Sequence, residues 1–154
     1  MKGSIQSEQE MIALAQNIAL LLEPVDTIVL KGDLGTGKTV FARGIITACV
    51  PGTVEVLSPT FTLLQQYQSA DCQLWHYDLY RLESAAELEE LGIEEAWSQG
   101  LVLVEWPEIL GTRLPTSYLE VQLSIAADGE TRDIVLQGHG RWASLLLANP
   151  EILS

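Results

Sequence analysis

Residues 32–39 read GDLGTGKT, and this octet constrains the fold more tightly than any other part of the 154-residue chain. Its spacing is G-x-x-x-x-G-K-[ST], the pattern of a loop that wraps phosphate groups. Gly32, Gly35 and Gly37 permit turns that aim backbone N–H groups inward, where side chains would fill the space an anion needs. Before the loop, 27–30 (TIVL) is a β-branched, apolar run that reads as a buried strand. After it, Val40, Phe41, Gly44, Ile45 and Ala48 predict a helix over 37–49, ended by Pro51-Gly52. A strand, this loop and a helix in that order form a cradle: the helix start adds its open N–H groups and positive dipole end. Lys38 adds a mobile positive charge for β and γ phosphates, and the Thr39 hydroxyl is a magnesium ligand of the right chemistry. Asp33 is expected to point away, because a carboxylate facing the phosphates would oppose them. A dinucleotide-binding reading fails for want of G-x-G-x-x-G.

The rest of the chain supplies layers for such a loop. Ser7 and Glu10 predict a capping box opening a helix whose stripe is Met11, Leu14, Ala15, Ile18, Leu21 and Leu22, stopped by Pro24. Short strands are expected at 54–57, at 72–77 ending on Asp78, and at 101–104 ending on Glu105; 61–67 has too little period to assign. The 84–97 stretch is acidic and helix-prone, with Leu88 and Leu91 as anchors and a break at Gly92. The unbroken aliphatic run of 101–104 suits a sheet covered on both faces. Leu119, Val121, Leu123 and Ile125 alternate with polar residues, as do Ile134 and Leu136 beyond Asp128-Gly129, predicting a hairpin with one buried face. A short helix at 141–147 closes the chain. These signals predict one domain over 1–154: a three-layer α/β fold like that of P-loop NTPases, with a mixed, mostly parallel sheet and a C-terminal β-hairpin.

Charge narrows the function. Twenty-one acidic residues against eight lysines and arginines give −13, a field that repels nucleic-acid backbones, so broad contact with them is not expected. At 47% hydrophobic and 19% charged the chain is globular. No apolar run approaches the ~20 residues that span a bilayer, and the first ten residues lack a signal-peptide core; a cytoplasmic protein without membrane contact is expected. Cys49 and Cys72 lack metal or redox spacing and read as inert buried thiols.

A magnesium–nucleotide site needs an acid near the Thr39 hydroxyl and a group that positions the attacking water. Asp78 and Glu105, each closing a strand, are the candidates; position favours Glu105 for the metal and leaves the water to be assigned. The candidate catalytic set is Lys38, Asp78 and Glu105, the metal set Thr39 and Glu105. Nucleotide contacts are expected from Asp33, Leu34, Gly35, Thr36, Gly37, Lys38, Thr39 and Val40, with Trp106 either beside them or in the core. Ser58-Pro59-Thr60 reads equally as a γ-phosphate-sensing loop or as an ordinary turn. His76 reads as a packed, hydrogen-bonded strand histidine more than as a base, and His139 and Arg141 lie where a loop could reach the nucleotide.

Four ordered segments, GDLGTGKT (32–39), SPTF (58–61), HYDLYRL (76–82) and VLVEWPE (102–108), resemble the TsaE family, also called YjeE. The resemblance implies an ATP-hydrolysing, Mg²⁺-dependent P-loop protein. It would act with TsaB and TsaD as N6-threonylcarbamoyladenosine forms at position 37 of tRNAs reading ANN codons. The transfer itself would belong to TsaD, and tRNA would be met only through the complex. Lys38 and Thr39 match the family's lysine and magnesium ligand, Asp78 and Glu105 its two acids, Ser58-Pro59-Thr60 its switch-like loop, and Trp106 its tryptophan at the nucleotide. Val40 departs from the pattern, since many members carry a second threonine there. The absence of Asn-Lys-x-Asp argues against GTP. Two other functions fit the same loop: a nucleotide-gated binding module that needs no hydrolysis, and a small-molecule kinase. The second would need a further pocket and a basic lid, whereas the five arginines are scattered.

Overall fold

A computed structural model describes residues 1–53 and 55–154. In chain order the elements are β1 (Lys2–Ile5), α1 (Glu8–Ala19), β2 (Thr27–Lys31), α2 (Lys38–Cys49), β3 (Leu64–Gln68), β4 (Gln73–Asp78), α3 (Ala85–Glu90), α4 (Ile93–Gln99), β5 (Leu101–Glu105), β6 (Tyr118–Ile125), β7 (Arg132–His139) and α5 (Arg141–Ala148). Short 3₁₀ segments lie at Pro107–Arg113 and Pro150–Leu153.

The seven strands form one sheet in the order β1-β7-β6-β2-β5-β4-β3. Strands β6, β2, β5 and β4 are mutually parallel, and antiparallel pairing of β6 with β7, β7 with β1 and β3 with β4 completes the sheet. Five strands therefore point one way, and the sheet is mixed and mostly parallel. The hairpin is not an appendage, because β6 is hydrogen-bonded directly to β2.

The strand sequences explain the layers. Along β2 and β5 successive side chains alternate between faces, so an all-aliphatic strand must supply two cores. Ile28, Leu30 and Leu103 join the core under α1, α2 and α5, while Val29, Val102 and Val104 join Leu88, Ile93 and Ala96 beneath α3 and α4. The hairpin differs: Leu119, Val121, Leu123, Ile134 and Leu136 all enter the first core. Each fully buried Val, Leu or Ile contributes roughly 1.5–3 kcal/mol. Helices α1 and α2 cross closely at Gly44, where an added Cβ would lie 2.6 Å from the Cβ of Ala15. That crossing holds α2, and the loop at its start, against the sheet.

At the start of α1 the Ser7 hydroxyl accepts from the Glu10 N–H (3.1 Å), as expected, but the Glu10 carboxylate accepts from the N–H of Gln6, not Ser7. Two strands have no counterpart in the sequence reading: β1 and β3, the two edges of the sheet. The expected strand at 54–57 is not formed over 55–57, where Glu55 and Leu57 are exposed and only Val56 packs partly on the core; Val54 lies outside the described residues. Cys49 and Cys72 are free and half-buried rather than buried, and burial pushes the Cys49 thiol up to about 12. No helix among the described residues is long and apolar enough to cross a membrane.

Candidate functional site

The carboxyl ends of the parallel strands are where open α/β sheets form their crevice. The 32–39 loop leaves β2 at that end. Its glycines hold backbone that other residues adopt rarely, most stringently at Gly32 (φ 141°), where a Cβ would strike the Leu123 carbonyl and come within 2.8 Å of the Thr36 hydroxyl. The Thr36 hydroxyl donates to the Asp33 carbonyl (2.8 Å), tying the loop across itself. Gly37 caps α2 in a left-handed conformation (φ 104°), so Lys38 and Thr39 occupy the first helical positions. The side chain of Asp33 is exposed, in agreement with the sequence reading.

Lys38 is 5% exposed. Its ammonium donates to the carbonyls of Gly32 (2.6 Å) and Asp33 (2.8 Å) and sits 4.3 Å from the ring centroid of Trp106. Burial pulls the lysine below its ordinary 10.5, an effect opposed by the negative field of Glu105, then Asp78, Asp33 and Glu108. Trp106 is thus at the loop and not in the core. It lies in left-handed backbone (φ 57°, ψ 61°), uncommon for so large a residue, and is held there by its N–H donating to Leu30 (3.2 Å) and by Tyr80, whose ring centroid is 4.7 Å away.

Register brings the two acids together. Asp78 and Glu105 are direct partners across β4 and β5, and both are almost fully buried. Their contacts differ. Glu105 accepts from the Thr39 hydroxyl (3.0 Å to Oε1) and lies 2.7 Å, through Oε2, from His76 Nε2. Asp78 accepts from the Thr60 hydroxyl (3.0 Å) and from the Tyr80 N–H (3.0 Å). Thr60 also exchanges a 2.8 Å hydrogen bond with Ser58, so the Ser58-Pro59-Thr60 turn is fastened to Asp78. Lys38, Thr39, Thr60, Asp78, Glu105 and Trp106, with Leu34, Gly35, Gly37 and Val40, line one cavity of about 280 Å³.

The other side of the loop opens on a second cavity of about 340 Å³, between Gly35–Val40 and residues that the sequence reading left out: Ile5, Gln6, Ser7 and Met11 from the β1–α1 junction, with Glu130 and Arg132 from the hairpin. Arg132 donates to the Gly35 carbonyl (3.3 Å). Ser7 and Met11 carry only helix-cap and core signals and the others no motif, so only the pairing of β1 with β7 brings both segments beside the loop. Arg141 and His139 are corrected outright. Arg141 is bound to Asp26 at the opposite end of β2, and His139 stacks on Tyr118 at the start of β6 (centroids 4.1 Å apart).

A strand–glycine loop–helix unit at the carboxyl ends of a mixed sheet, with two acids beside the helix start, defines the P-loop NTPase-like class of α/β proteins. A family model described as "Threonylcarbamoyl adenosine biosynthesis protein TsaE" matches residues 5–134, and the chain belongs to that family. Similar proteins include the tRNA threonylcarbamoyladenosine biosynthesis protein TsaE of Rickettsia conorii, 40% identical over 136 residues (88% of this chain, 78% of the other). The protein of the same name in Bacillus subtilis is 34% identical over 148 residues (95% and 90%). Among solved structures, Bacillus subtilis YdiB superposes with a TM-score of 0.79 at 29% identity, covering 99% of this chain and 93% of that one.

Proposed function

We propose that this chain is a Mg²⁺-dependent ATPase of the machinery that forms N6-threonylcarbamoyladenosine at position 37 of tRNAs reading ANN codons. It works in the cytoplasm with TsaB and TsaD homologues and meets tRNA only through them. The observation that carries the proposal is the convergence of Lys38, Thr39 and Glu105 on one cavity beside the glycine loop. The triphosphate occupies that cavity, and the nucleoside lies across the loop, between the β1–α1 junction and Arg132.

The donor set fits magnesium: Thr39 and Glu105 present a hydroxyl and a carboxylate, hard oxygens that leave room for water and phosphate ligands. An ion held there would supply charge neutralisation to the phosphates. Lys38 exchanges the Gly32 and Asp33 carbonyls for phosphate oxygens, and its Trp106 contact changes with it. Asp78 has both oxygens engaged, so it holds the 58–60 loop over the cavity and orients water through that loop.

Turnover by the chain alone is slow, because an arginine facing the transferred phosphate is worth several powers of ten in P-loop enzymes. Among the described residues lining the phosphate-side cavity none is arginine. Arg43 faces Glu8 and Arg141 faces Asp26. The test is ATP hydrolysis with and without TsaB and TsaD: stimulation supports the proposal, and equally fast hydrolysis by the isolated chain defeats partner dependence. The fastening of Thr60 to Asp78 also favours a second reading, in which ATP only orders a partner-binding surface. tRNA modification that survives in a variant unable to hydrolyse ATP would establish it.

A further inference from the structure

We infer that His76 is a positioning residue that fixes the Glu105 carboxylate for magnesium; the inference rests on the ATPase reading above. His76 lies two residues before Asp78 on β4, so its side chain projects from the same face as Asp78 and Glu105, diagonally across from Glu105. The ring is completely buried and its Nε2 is 2.7 Å from Glu105 Oε2. With the Glu105 oxygen as acceptor, the imidazole donates from Nε2. Among the described residues Nδ1 has no hydrogen-bond partner. Its one side-chain hydrogen bond among the described residues is to the acid beside Thr39.

The consequence is geometric. Glu105 has two oxygens with two fixed neighbours, Thr39 at Oε1 and His76 at Oε2. Without the imidazole the carboxylate is free to rotate about its last bond, and Oε1 no longer has a set direction beside the Thr39 hydroxyl. Partners that orient a metal-binding side chain in this way typically contribute 10–100-fold in metal affinity.

Three substitutions separate positioning from packing. Gln at position 76 can place its amide N–H₂ near the Nε2 position; Asn reaches only the Nδ1 position; Phe keeps the volume and no donor. Calorimetric titration with AMP-PNP, in EDTA and in saturating magnesium chloride, gives the magnesium-dependent part of the affinity. In EDTA all folded variants should match the wild type. With magnesium, His76→Asn and His76→Phe should lose about 10–100-fold of the gain, and His76→Gln should recover most of it. ¹⁵N NMR of the wild-type ring, one of only two histidines, should show the Nε2–H tautomer without any ligand. Wild-type magnesium dependence in the Asn variant, or equal loss in the Asn and Gln variants, overturns the inference. If the Phe variant does not fold, the Asn–Gln contrast decides alone. A wild-type chain that binds no AMP-PNP at all would instead bring down the ATPase reading itself.

Discussion

Two buried carboxylates, one at each end of the central sheet, face opposite demands. Asp26, just before β2, accepts from the Arg141 guanidinium (2.6 Å), the Glu23 N–H (2.7 Å) and the Trp142 indole (3.2 Å). Its cation is permanent and covalently part of the fold. Glu105, at the far end of the neighbouring strand, has a hydroxyl and an imidazole, while the nearby Lys38 ammonium spends its hydrogen bonds on carbonyls. An acid supplied with its own cation anchors structure. One whose direct partners are a hydroxyl and an imidazole has no guanidinium or ammonium hydrogen-bonded to it, and on the ATPase reading proposed above that leaves it able to take a cation from outside. Burial alone does not distinguish the two, since both are under a tenth exposed; the partners do.

That contrast can be broken by mutation. Removing Asp26 strands the Trp142 indole N–H and leaves Arg141 only Glu23 and the Leu21 carbonyl, so Asp26→Ala should lower stability by about 2 kcal/mol in urea unfolding and leave nucleotide affinity intact. Lys38→Ala should do the reverse: roughly hundredfold weaker ATP binding by calorimetry, from a lost charge-assisted phosphate contact, with no fall in apo stability because a buried ammonium is removed. Glu105→Gln keeps a group able to bond Thr39 and His76. It should reduce partner-stimulated hydrolysis about 10–100-fold while the thermal midpoint stays near wild type. A large loss of stability in Glu105→Gln would place Glu105 with Asp26 as an anchor.

The smallest effect is a pH dependence at Lys38. Burial depresses its folded pKa below the unfolded 10.5, so the unfolded chain binds more protons between the two values. The lysine therefore costs stability below its folded pKa, and the cost is relieved as pH rises through that pKa toward 10.5. ATP affinity should move the other way, falling in the same alkaline window as the ammonium loses its proton. Stability and affinity measured across that window check the sign as the difference from Lys38→Ala, which carries the opposing fall from groups such as the Cys49 thiol.

How much of this was legible beforehand follows from where side chains end up. The strands β2 and β5 and the loop between β2 and α2 were readable because each carries a period or a motif that the fold enforces along the chain. The edge strands were not. KGSI and LQQYQ have one neighbour each and bury little, so selection leaves no alternation in them. Asp78 and Glu105 were visible as strand-terminal acids, yet their division of partners depends on register between strands 27 residues apart, which no local pattern encodes. His76, read as a packed, hydrogen-bonded strand histidine, is buried and hydrogen-bonded; which residue it bonds is set by strand register, and only the distance to Glu105 reveals it. Arg141 was misplaced for the converse reason: a charge near a glycine pair looks like a loop, whereas its partner lies 115 positions earlier.

The Asp26 clasp has a consequence for how the protein is made. Translation releases Asp26 long before Arg141 and Trp142, and β2 itself waits for β5 and β6, which follow it by some seventy to ninety positions, to flank it. A polypeptide halted anywhere short of α5 carries a bare acid at the foot of its middle strand and a hydrophobic face missing one of its three covering helices. Such fragments should be prime clients for chaperones and proteases, and completion of the final helix becomes the cell's own checkpoint on an intact copy.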